Sequence, residues 1–454
     1  MALRVMQGEQ ATEILSALGK GGSTAFFYNF RQWYLPDSPQ IQLLVVALAD
    51  DNEHGKIWLL VAEANEPVVA AAVNALAGVE ISQAALTDLA RACQVPLVDL
   101  SQPLKLEPVS IPKPWGQEIW YTGIEQRGLS LVSDGNYAVP LAWLIGILPG
   151  YLTGVGDQPP NLLKILDPLP DPVYGDLYFE LHQEKREVYV VTHVDKEAWP
   201  DGIGGIRYGF SDEMRKRFDN DRAFRSAYRD AVKAYRGVRK QVDVLIDGMR
   251  KRDGIAPDEP VPALQAKQWH GEVPGELRET EALLREAMDS FTQLMPLQVG
   301  DVVKVPLLMP HALQHGVRTV EFQTPAYERK ILSFAQKVLT QKSWDTNEAV
   351  ELMILDPAEA QGLTVLEDGE AVKREQIVSF PDFAVQRITL EKDASWLLPK
   401  IESYALVIAV VGTLGFGVRK ISSEQAVFVP AYCEDIEFRN LSVGPCVVLV
   451  SFPR

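Results

Sequence analysis

One segment of the chain, GDLYFELHQEKREVYVV at 175–191, carries imidazole and carboxylate side chains at spacings that suit a divalent metal. Glu180 and His182 lie two residues apart, so on a β-strand both side chains point to the same face. Glu187 follows His182 by five residues, and a tight hairpin would bring its carboxylate beside that pair. The segment therefore predicts two metal ligands from one strand and a third from its hairpin partner.

A second segment, GDVVKVPLLMPHALQHG at 300–316, supplies a fourth candidate ligand. It is typical of a strand followed by a proline-bearing turn, after which comes His311. A mixed set of imidazole and carboxylate ligands suits Zn, Mn or Fe better than Ca, which prefers all-oxygen sites. Taken alone, the Glu-x-His pair also arises on any strand whose polar residues alternate, so ordinary strand polarity stays the alternative for Glu180 and His182.

The composition of the 454-residue chain narrows the classes of function. Hydrophobic residues make up 47% and charged residues 23%, which is typical of a globular protein. The net charge of −17 repels phosphate backbones and argues against nucleic-acid binding, although local cations can still bind a small phosphorylated ligand. The three cysteines are too scattered for a disulfide framework, and no apolar stretch reaches the length of a membrane helix. We expect a cytoplasmic protein that binds neither nucleic acid nor a membrane.

Residues 1–104 are expected to form an N-terminal α/β unit, for which the sequence indicates no chemistry. Apolar runs rich in Val, Leu and Ile at 41–49 and 56–62 predict strands, and helical periodicity at 66–77 and 82–93 predicts helices. A cluster of prolines then marks a boundary before the next region.

The rest of the chain alternates between strand-like and helix-like patterns. Short apolar or alternating segments dominate 115–208, and the strand-like pattern returns from residue 302 to the end. Between them, the charged and periodic stretch 211–252 and the stretch 276–294 predict helices, separated by a proline-rich loop at 253–274. The sequence thus predicts a β-rich protein interrupted by a helical insert.

The pattern Glu-x-His-x4-Glu, followed later by Gly-x5-Pro-x4-His, resembles the two halves of the cupin motif. Further stretches resemble the type I phosphomannose isomerases, zinc-dependent cupins that interconvert mannose 6-phosphate and fructose 6-phosphate. The stretches that carry the resemblance are KPWG (113–116), LLKILDPLPD (162–171), LYFELH (177–182), KRE (185–187), GDVVKVPLLMPHAL (300–313), VEFQ (320–323), Arg329 and FVPAY (428–432). The match spans 105–454, and the helical insert falls between the two motif halves, as it does in that family.

The resemblance implies a mainly β fold with a helical insert, in which two cupin jelly-roll barrels follow the N-terminal α/β unit. It places a metal-binding cupin domain at 105–210 and 297–345, the helical insert at 211–296, and a metal-free cupin domain at 346–454. The metal ligands that it implies are Glu180, His182, Glu187 and His311.

The resemblance also implies residues for catalysis and for substrate binding. Those implied for catalysis are Arg329, Glu321 and Lys185, and those implied for substrate binding are Lys164, Trp115 and Tyr178. Aldose–ketose isomerisation moves a proton between C2 and C1 through an enediolate, so a metal or cation must stabilise the negative oxygen while a base carries the proton. A surface salt bridge is the alternative for Arg329, and ordinary strand polarity is the alternative for Glu321 and Lys185.

We therefore expect a metal-dependent aldose–ketose isomerase that converts mannose 6-phosphate to fructose 6-phosphate with one divalent metal, Zn ahead of Mn or Fe. The alternatives are a metal cupin that acts on another sugar or small oxygenated molecule, and a carbohydrate-binding or regulatory protein without turnover. The sequence leaves the oligomeric state open, with a homo-oligomer among the alternatives.

Several positions depart from the family pattern, and they cluster around the substrate. Glu180 replaces a Gln ligand, which makes a bound metal less electrophilic, and only two residues separate His182 from Lys185 where the family has a long loop. Tyr178 replaces a Ser near the phosphate, and Leu308 replaces a Gly at a turn that favours glycine. These departures predict a diverged relative that keeps the scaffold.

Overall fold

The computed structural model describes residues 4–6, 13, 15, 17–18, 21–49, 56–76, 81–154, 159–339, 341, 343–356, 362–431 and 433–454. The chain divides into two compact units. The first unit comprises Met1–Val109, Trp120–Leu163 and Leu363–Arg454, and the second unit comprises Ser110–Ile119 and Lys164–Gly362. Among the described residues, no helix is both long and apolar enough to cross a membrane.

The architecture is mainly β with several helices, as the sequence predicts. The strands of the first half are β1 (Arg4–Met6), β2 (Ser23–Arg31), β3 (Gln40–Ala49), β4 (Ile57–Glu63), β5 (Leu97–Asp99), β6 (Leu104–Glu107), β7 (Val109–Lys113), β8 (Gly116–Trp120), β9 (Ile124–Glu125), β10 (Gly128–Leu129), β11 (Leu131–Ser133), β12 (Ala138–Pro140), β13 (Leu162–Pro168), β14 (Phe179–Leu181), β15 (Glu187–Val194) and β16 (Gly204–Phe210). The later strands are β17 (Thr292–Leu297), β18 (Val302–Val305), β19 (His311–Leu313), β20 (Val317–Gln323), β21 (Lys330–Ser333), β22 (Thr364–Asp368), β23 (Val372–Ser379), β24 (Phe383–Leu390), β25 (Ser395–Leu398), β26 (Ala405–Val411), β27 (Thr413–Phe416), β28 (Arg419–Ser422), β29 (Ala426–Val429), β30 (Ile436–Asn440) and β31 (Cys446–Pro453). The helices are α1 (Glu66–Leu76), α2 (Gln83–Cys93), α3 (Leu141–Ile147), α4 (Pro149–Leu152), α5 (Asp212–Arg215), α6 (Asp221–Arg252), α7 (Ala263–Glu272), α8 (Gly275–Asp289) and α9 (Thr346–Leu352).

The first unit contains a five-stranded sheet in the order β1-β2-β3-β4-β5, and the predicted strands and helices of this region are confirmed. One face of the sheet packs against α1 and α2, where Val46 and Leu60 meet Val68 and Leu86. Both faces of β3 are buried because α3 lies near the opposite face, where the Tyr28 hydroxyl donates to the carbonyl oxygen of Gly146.

The remainder of the first unit is a nine-stranded sheet, β12-β11-β6-β29-β26-β31-β24-β23-β22, and a four-stranded sheet, β25-β30-β27-β28. Their shared core joins Val407 and Val450 of the larger sheet to Trp396 and Phe438 of the smaller one. The FVPAY stretch begins in β29, and its residue 432 lies outside the described residues.

The second unit contains two sheets whose inner faces share one hydrophobic core. The six-stranded sheet has the order β18-β15-β20-β13-β8-β7, and the five-stranded sheet has the order β17-β16-β19-β14-β21. The core joins Val191 and Val303 of the first sheet to Ile206, Leu313 and Ile331 of the second. The interior between these two sheets is where the predicted site residues meet.

The helical insert covers the outer face of the five-stranded sheet. The side chain of Asn220 caps α6 by accepting a hydrogen bond from the amide of Ala223 at 3.0 Å. An apolar stripe at helical spacing along α6 then packs against Phe179 and Leu181 of β14, with Phe224 and Tyr228 among its members. Side chains alternate along a strand. Because Phe179 and Leu181 point outward, Glu180 and His182 point toward the interior.

The structure corrects two boundaries of the predicted insert. The predicted loop 253–274 contains α7. Two of its four prolines lie at helix starts, where the missing amide proton is not needed: Pro262 precedes α7 and Pro274 precedes α8. The second predicted helix ends at Asp289 instead of 294, since the following residues pair with β16 as β17.

The glycine of the KPWG stretch allows β8 to approach β13 closely. Gly116 has φ of +143°, and a Cβ added there would lie 2.2 Å from the carbonyl oxygen of Asp167. Gly135 also has a positive φ, +99°, but its Cβ would meet no atom within 4 Å. The two glycines therefore separate the cost of the backbone conformation from the cost of the steric clash.

We expect Gly116→Ala to lower the free energy of unfolding by about 2–3 kcal/mol, because the added methyl group forces the two strands apart. Gly135→Ala is the matched control, with an expected cost of about 1 kcal/mol from its backbone alone. Urea unfolding of both variants measures the difference, and equal losses would contradict the close approach of β8 to β13.

Candidate metal centre

Strand register brings the candidate ligands together. In the five-stranded sheet, Glu180 of β14 pairs directly with His311 of β19, and His182 follows immediately after β14. Glu187 begins β15 in the facing sheet, where it pairs with Gln323 of β20. The alternation that sends Phe179 and Leu181 outward leaves Glu180 and His182 on the inner side, facing Glu187.

Three of these side chains form a compact, deeply buried group. His182 Nε2 lies 3.4 Å from Glu187 Oε1, and His311 Nε2 lies 3.0 Å from Glu187 Oε2. The three residues are 1%, 3% and 2% exposed in the order His182, His311 and Glu187. One donor atom from each lies within 4.8 Å of the others, a spacing that can hold a metal ion.

Backbone carbonyls orient both imidazoles toward the carboxylate. The Nδ1 atom of His182 lies 2.9 Å from the carbonyl oxygen of Glu328, and that of His311 lies 3.0 Å from the carbonyl oxygen of Met309. Because a carbonyl only accepts, each Nδ1–H donates to its carbonyl, and each Nε2 is directed toward Glu187. His182 Nε2 is buried without a hydrogen-bond partner among the described residues.

The donor set fits a divalent cation. Burial, aided by the Lys185 ammonium, holds the pKa of His182 well below its ordinary value, which keeps that imidazole neutral. Burial raises the pKa of Glu187, but neighbouring charges, of which the Lys185 ammonium has the largest effect, hold the pKa well below its usual range. Two imidazole nitrogens and a carboxylate oxygen converge here, and zinc accepts these ligand types.

Glu180, the fourth predicted ligand, lies at the margin of this group. Its Oε1 atom is 3.9 Å from His182 Nε2, while its Oε2 atom is 3.7 Å from a guanidinium nitrogen of Arg329. The guanidinium of Arg329 also lies over the ring of Tyr178, 4.6 Å from its centroid. The structure thus brings Glu180, Arg329 and Tyr178 together beside the three-residue group.

Lys185 and Tyr189 bind the same carboxylate that faces the histidines. The ammonium of Lys185 lies 2.6 Å from Glu187 Oε1, and the Tyr189 hydroxyl donates to Glu187 Oε2 at 2.5 Å. Burial and the charge of Glu187 raise the pKa of Tyr189 well above its ordinary value, so its hydroxyl remains a donor. In this structure the Lys185 ammonium therefore provides positive charge at Glu187.

A second buried charge cluster crosses the same six-stranded sheet. Lys164 Nζ of β13 lies 3.3 Å from Glu321 Oε2 of β20 and 3.8 Å from Glu118 Oε2 of β8. Glu118 also pairs with Lys113 of β7 at 3.0 Å. Tyr189 of β15 pairs in register with Glu321, so a row of polar side chains runs from β15 to β7.

The pKa values in this row follow from burial and charge. Burial lowers the pKa of Lys164, but Glu118, Glu321 and Glu187 together raise it above its ordinary value, so its ammonium stays charged. Burial and the neighbouring Glu187 raise the pKa of Glu321 well above its usual range, against the effect of Lys164. Glu321 therefore takes up a proton far more readily than an exposed glutamate does.

The two predicted aromatic residues lie in the core between the sheets. Trp115, 2% exposed, and Tyr178, 4% exposed, share this core with Leu166 and Tyr189. Tyr178 packs on Phe334 with a centroid separation of 4.2 Å. The indole nitrogen of Trp115 and the hydroxyl of Tyr178 are buried and have no hydrogen-bond partner among the described residues.

Sequence reasoning missed three residues of these clusters. Tyr189 lies two residues after Glu187, so the same strand alternation that paired Glu180 with His182 could have found it. Lys113 is the first residue of the KPWG stretch and Glu118 follows that stretch by two residues. No sequence pattern placed them beside Lys164, because that depends on the order of β7, β8 and β13 in the sheet.

The fold is similar to that of solved phosphomannose isomerases. Mannose 6-phosphate isomerase from Bacillus subtilis superposes with a TM-score of 0.52 and 15% identity, covering 77% of this chain and 99% of that one. A variant of phosphomannose isomerase from Salmonella typhimurium has a TM-score of 0.49 and 12% identity over 78% and 99%. A mannose 6-phosphate isomerase bound with zinc and yttrium has a TM-score of 0.48 and 12% identity over 77% and 99%. No family model and no curated protein matches the sequence.

We expect Lys164→Met to lower the free energy of unfolding by about 3–5 kcal/mol, because it removes the buried cation beside Glu321 and one of the two ammonium groups beside Glu118. Lys400→Met is the matched control: it removes an ammonium from an exposed pair with Glu434 and should leave stability nearly unchanged. Urea unfolding compares the two variants. A Lys164→Met protein as stable as the control would show that the buried row is not an ion-paired network.

Proposed function

We propose that this chain is a metal-dependent aldose–ketose isomerase that converts mannose 6-phosphate to fructose 6-phosphate. The observation that carries the proposal is the convergence of two imidazoles and the Glu187 carboxylate, deep between two sheets. His182, His311 and Glu187 would hold the metal, with Glu180 as a fourth ligand. Similarity in fold to the Bacillus subtilis enzyme supports the same choice.

The buried charges suit a phosphorylated sugar. The carboxylates of Glu118, Glu180, Glu187 and Glu321 are matched by the cations of Lys113, Lys164, Lys185 and Arg329. These cations equal the carboxylates in number and Glu321 takes up a proton readily, so a bound divalent cation leaves the site net positive. A dianionic phosphate ester offsets that positive charge, whereas an uncharged sugar does not.

The roles of the chain's own groups follow from their surroundings. When bound, the metal supplies positive charge that stabilises a developing enediolate oxygen. Glu321, whose pKa is raised, carries the proton between C2 and C1 on a carboxylate oxygen. Lys164 holds the phosphate or the carboxyl of Glu321 by charge, and Arg329 stabilises the enediolate or the phosphate through its guanidinium. Trp115 and Tyr178 exclude water from the interior.

We propose the corresponding domain organisation. The metal-binding cupin domain would comprise 105–210 and 297–345, with the helical insert at 211–296. A metal-free cupin domain at 346–454 would follow, and residues 1–104 would form a separate N-terminal α/β unit.

A second candidate function is supported by the position of Glu180. Its carboxylate lies beside both His182 and Arg329, so it adds negative charge and engages the cation that would otherwise bind substrate. Only two residues separate His182 from Lys185, so this turn is too short to form one side of a substrate pocket. These features favour a metal cupin that acts on another sugar, or a carbohydrate-binding protein without turnover.

The isomerase proposal predicts that the purified protein converts mannose 6-phosphate to fructose 6-phosphate, loses this activity on chelation, and recovers it with zinc or manganese. His311→Ala should abolish turnover because it removes one imidazole ligand, whereas His193→Ala, on the exposed end of β15, should not. A coupled assay of fructose 6-phosphate formation measures both. A folded, metal-loaded protein without turnover would rule out this substrate and favour the second candidate.

The structure also predicts that Lys185 competes with the metal for Glu187. Lys185→Gln should tighten zinc binding about tenfold, because the ammonium 2.6 Å from Glu187 Oε1 no longer has to be displaced. Lys196→Gln, an exposed lysine nearby in the chain, is the control and should leave the zinc affinity unchanged. Calorimetric titration of zinc into each metal-free protein gives the affinities, and weaker binding by Lys185→Gln would contradict the competition.

A further inference from the structure

The helical insert encloses a cavity of about 250 Å³ that belongs to neither charge cluster described above. We call it the insert cavity; its walls come from α6, α7, α8 and the segment that follows β21. The cationic side chains that line it are Arg239, Arg250, Arg285 and Lys337, joined by the buried carboxylate of Glu281. This concentration of positive charge contrasts with the net charge of −17 of the whole chain.

Some of these cations have carboxylate partners. Arg239 lies 2.7 Å from Asp243, and Lys337 lies 2.6 Å from Asp247. Glu281 is 3.6 Å from Arg285, and its carboxylate also accepts a hydrogen bond from a tyrosine hydroxyl at 2.7 Å. The acids that reach the cavity are therefore already engaged with other groups.

Arg250 has no carboxylate within ion-pair distance among the described residues. It is 6% exposed and donates to the carbonyl oxygens of Ala256 and Glu259, at 3.2 and 2.8 Å. Its guanidinium lies over the ring of Trp269, 5.3 Å from the centroid. Burial lowers the pKa of this guanidinium, against the effect of more distant acids such as Asp247. A buried cation held mainly by neutral groups is a binding partner for an anion.

One buried guanidinium nitrogen at this cavity lacks an acceptor. The Nε–H of Arg250 is shielded from solvent and donates to no hydrogen-bond acceptor in the described part of the chain. The Nε atom of Arg285 is also buried, and the Glu281 carboxylate is 3.6 Å away, beyond hydrogen-bond distance. A buried charged donor without an acceptor is costly. An anion in the insert cavity would supply an acceptor to Arg250 and a closer one to Arg285.

The positive charge continues into a neighbouring cavity of about 500 Å³. The two cavities share Arg239 and Lys337 in their walls, and the larger one adds the cations Arg236 and Lys240 and the carboxylates Asp243 and Asp258. Arg236 lies over the ring of Trp344, 5.3 Å from its centroid. The pair of cavities thus offers room for an anion larger than a single phosphate.

We propose that the insert cavity and its neighbour bind a small phosphorylated anion. Guanidinium groups match the tetrahedral oxygens of a phosphoryl group through paired donors, and several of them surround this space. The site lies outside the interior that holds His182, Glu187 and His311, so it does not depend on the proposed isomerase function.

The test is calorimetric titration of the full-length, chelator-treated protein with inorganic pyrophosphate, which probes the anion site in the absence of metal. The unsubstituted protein should bind saturably. Arg285→Gln and Arg236→Gln should each weaken binding about tenfold or more, since each removes a charged donor. Arg222→Gln is the matched control, because this arginine is exposed on α6 away from both cavities' walls and its loss should not change the affinity.

Circular dichroism and thermal unfolding of each variant ensure that a loss of binding is not a loss of fold. Two variants on different walls keep the test valid if one of them folds poorly. Absence of saturable binding overturns the proposal. So does pyrophosphate binding that survives both substitutions, which would place the anion in the buried cluster of Lys164 instead.

Discussion

The burial of one carboxylate, Glu187, constrains the rest of the second unit. A carboxylate taken out of water between two sheets is costly unless charge and hydrogen bonds compensate it. Here two imidazoles, an ammonium and a phenol surround it: the phenol comes from β15 itself, the ammonium from the turn before β15, and the imidazoles from β19 and the end of β14. The register of β14 with β19, and of β15 with β20, must hold for these groups to meet.

Side chains alternate between the two faces of each sheet. Because the helical insert covers the outer face of the five-stranded sheet, the side chains that point outward there must be apolar. Phe179 and Leu181 are covered by α6, so Glu180 and His182 face the interior. The same logic extends across the six-stranded sheet, where neighbouring strands place Lys164 between Glu118 and Glu321. The polar interior is thus a consequence of how the outer faces are buried, and the hydrogen bonds of both histidines to carbonyls then fix which nitrogen faces the carboxylate.

Much of this arrangement could be predicted from local pattern. Period-two spacing predicted that Glu180 and His182 share a face, and the five-residue spacing from His182 to Glu187 predicted a hairpin between them. The strained turn was also foreseen, since Leu308 adopts φ of +65° where glycine was favoured, and its amide donates to the carbonyl of His182 at 2.7 Å. The ligand roles themselves stay predictions.

What could not be predicted depends on strand order and on flanking elements. Lys113 and Glu118 reach Lys164 only because β7, β8 and β13 are neighbours, which no local spacing encodes. The predicted helix extends to residue 294, yet residues 292–297 form β17, which pairs with β16. The proline-rich stretch 253–274 was predicted to be a loop, yet it contains α7, because proline is also common at the start of a helix.

The central claim is that His182, Glu187 and His311 form one metal site. Crystals grown with zinc and measured above and below the zinc absorption edge test it most directly. The account predicts one anomalous peak about 2.0–2.2 Å from Nε2 of His182, Nε2 of His311 and an oxygen of Glu187, with the Lys185 ammonium displaced from that carboxylate. An interior without such a peak, with Lys185 still bound to Glu187 in zinc-saturated crystals, would contradict it.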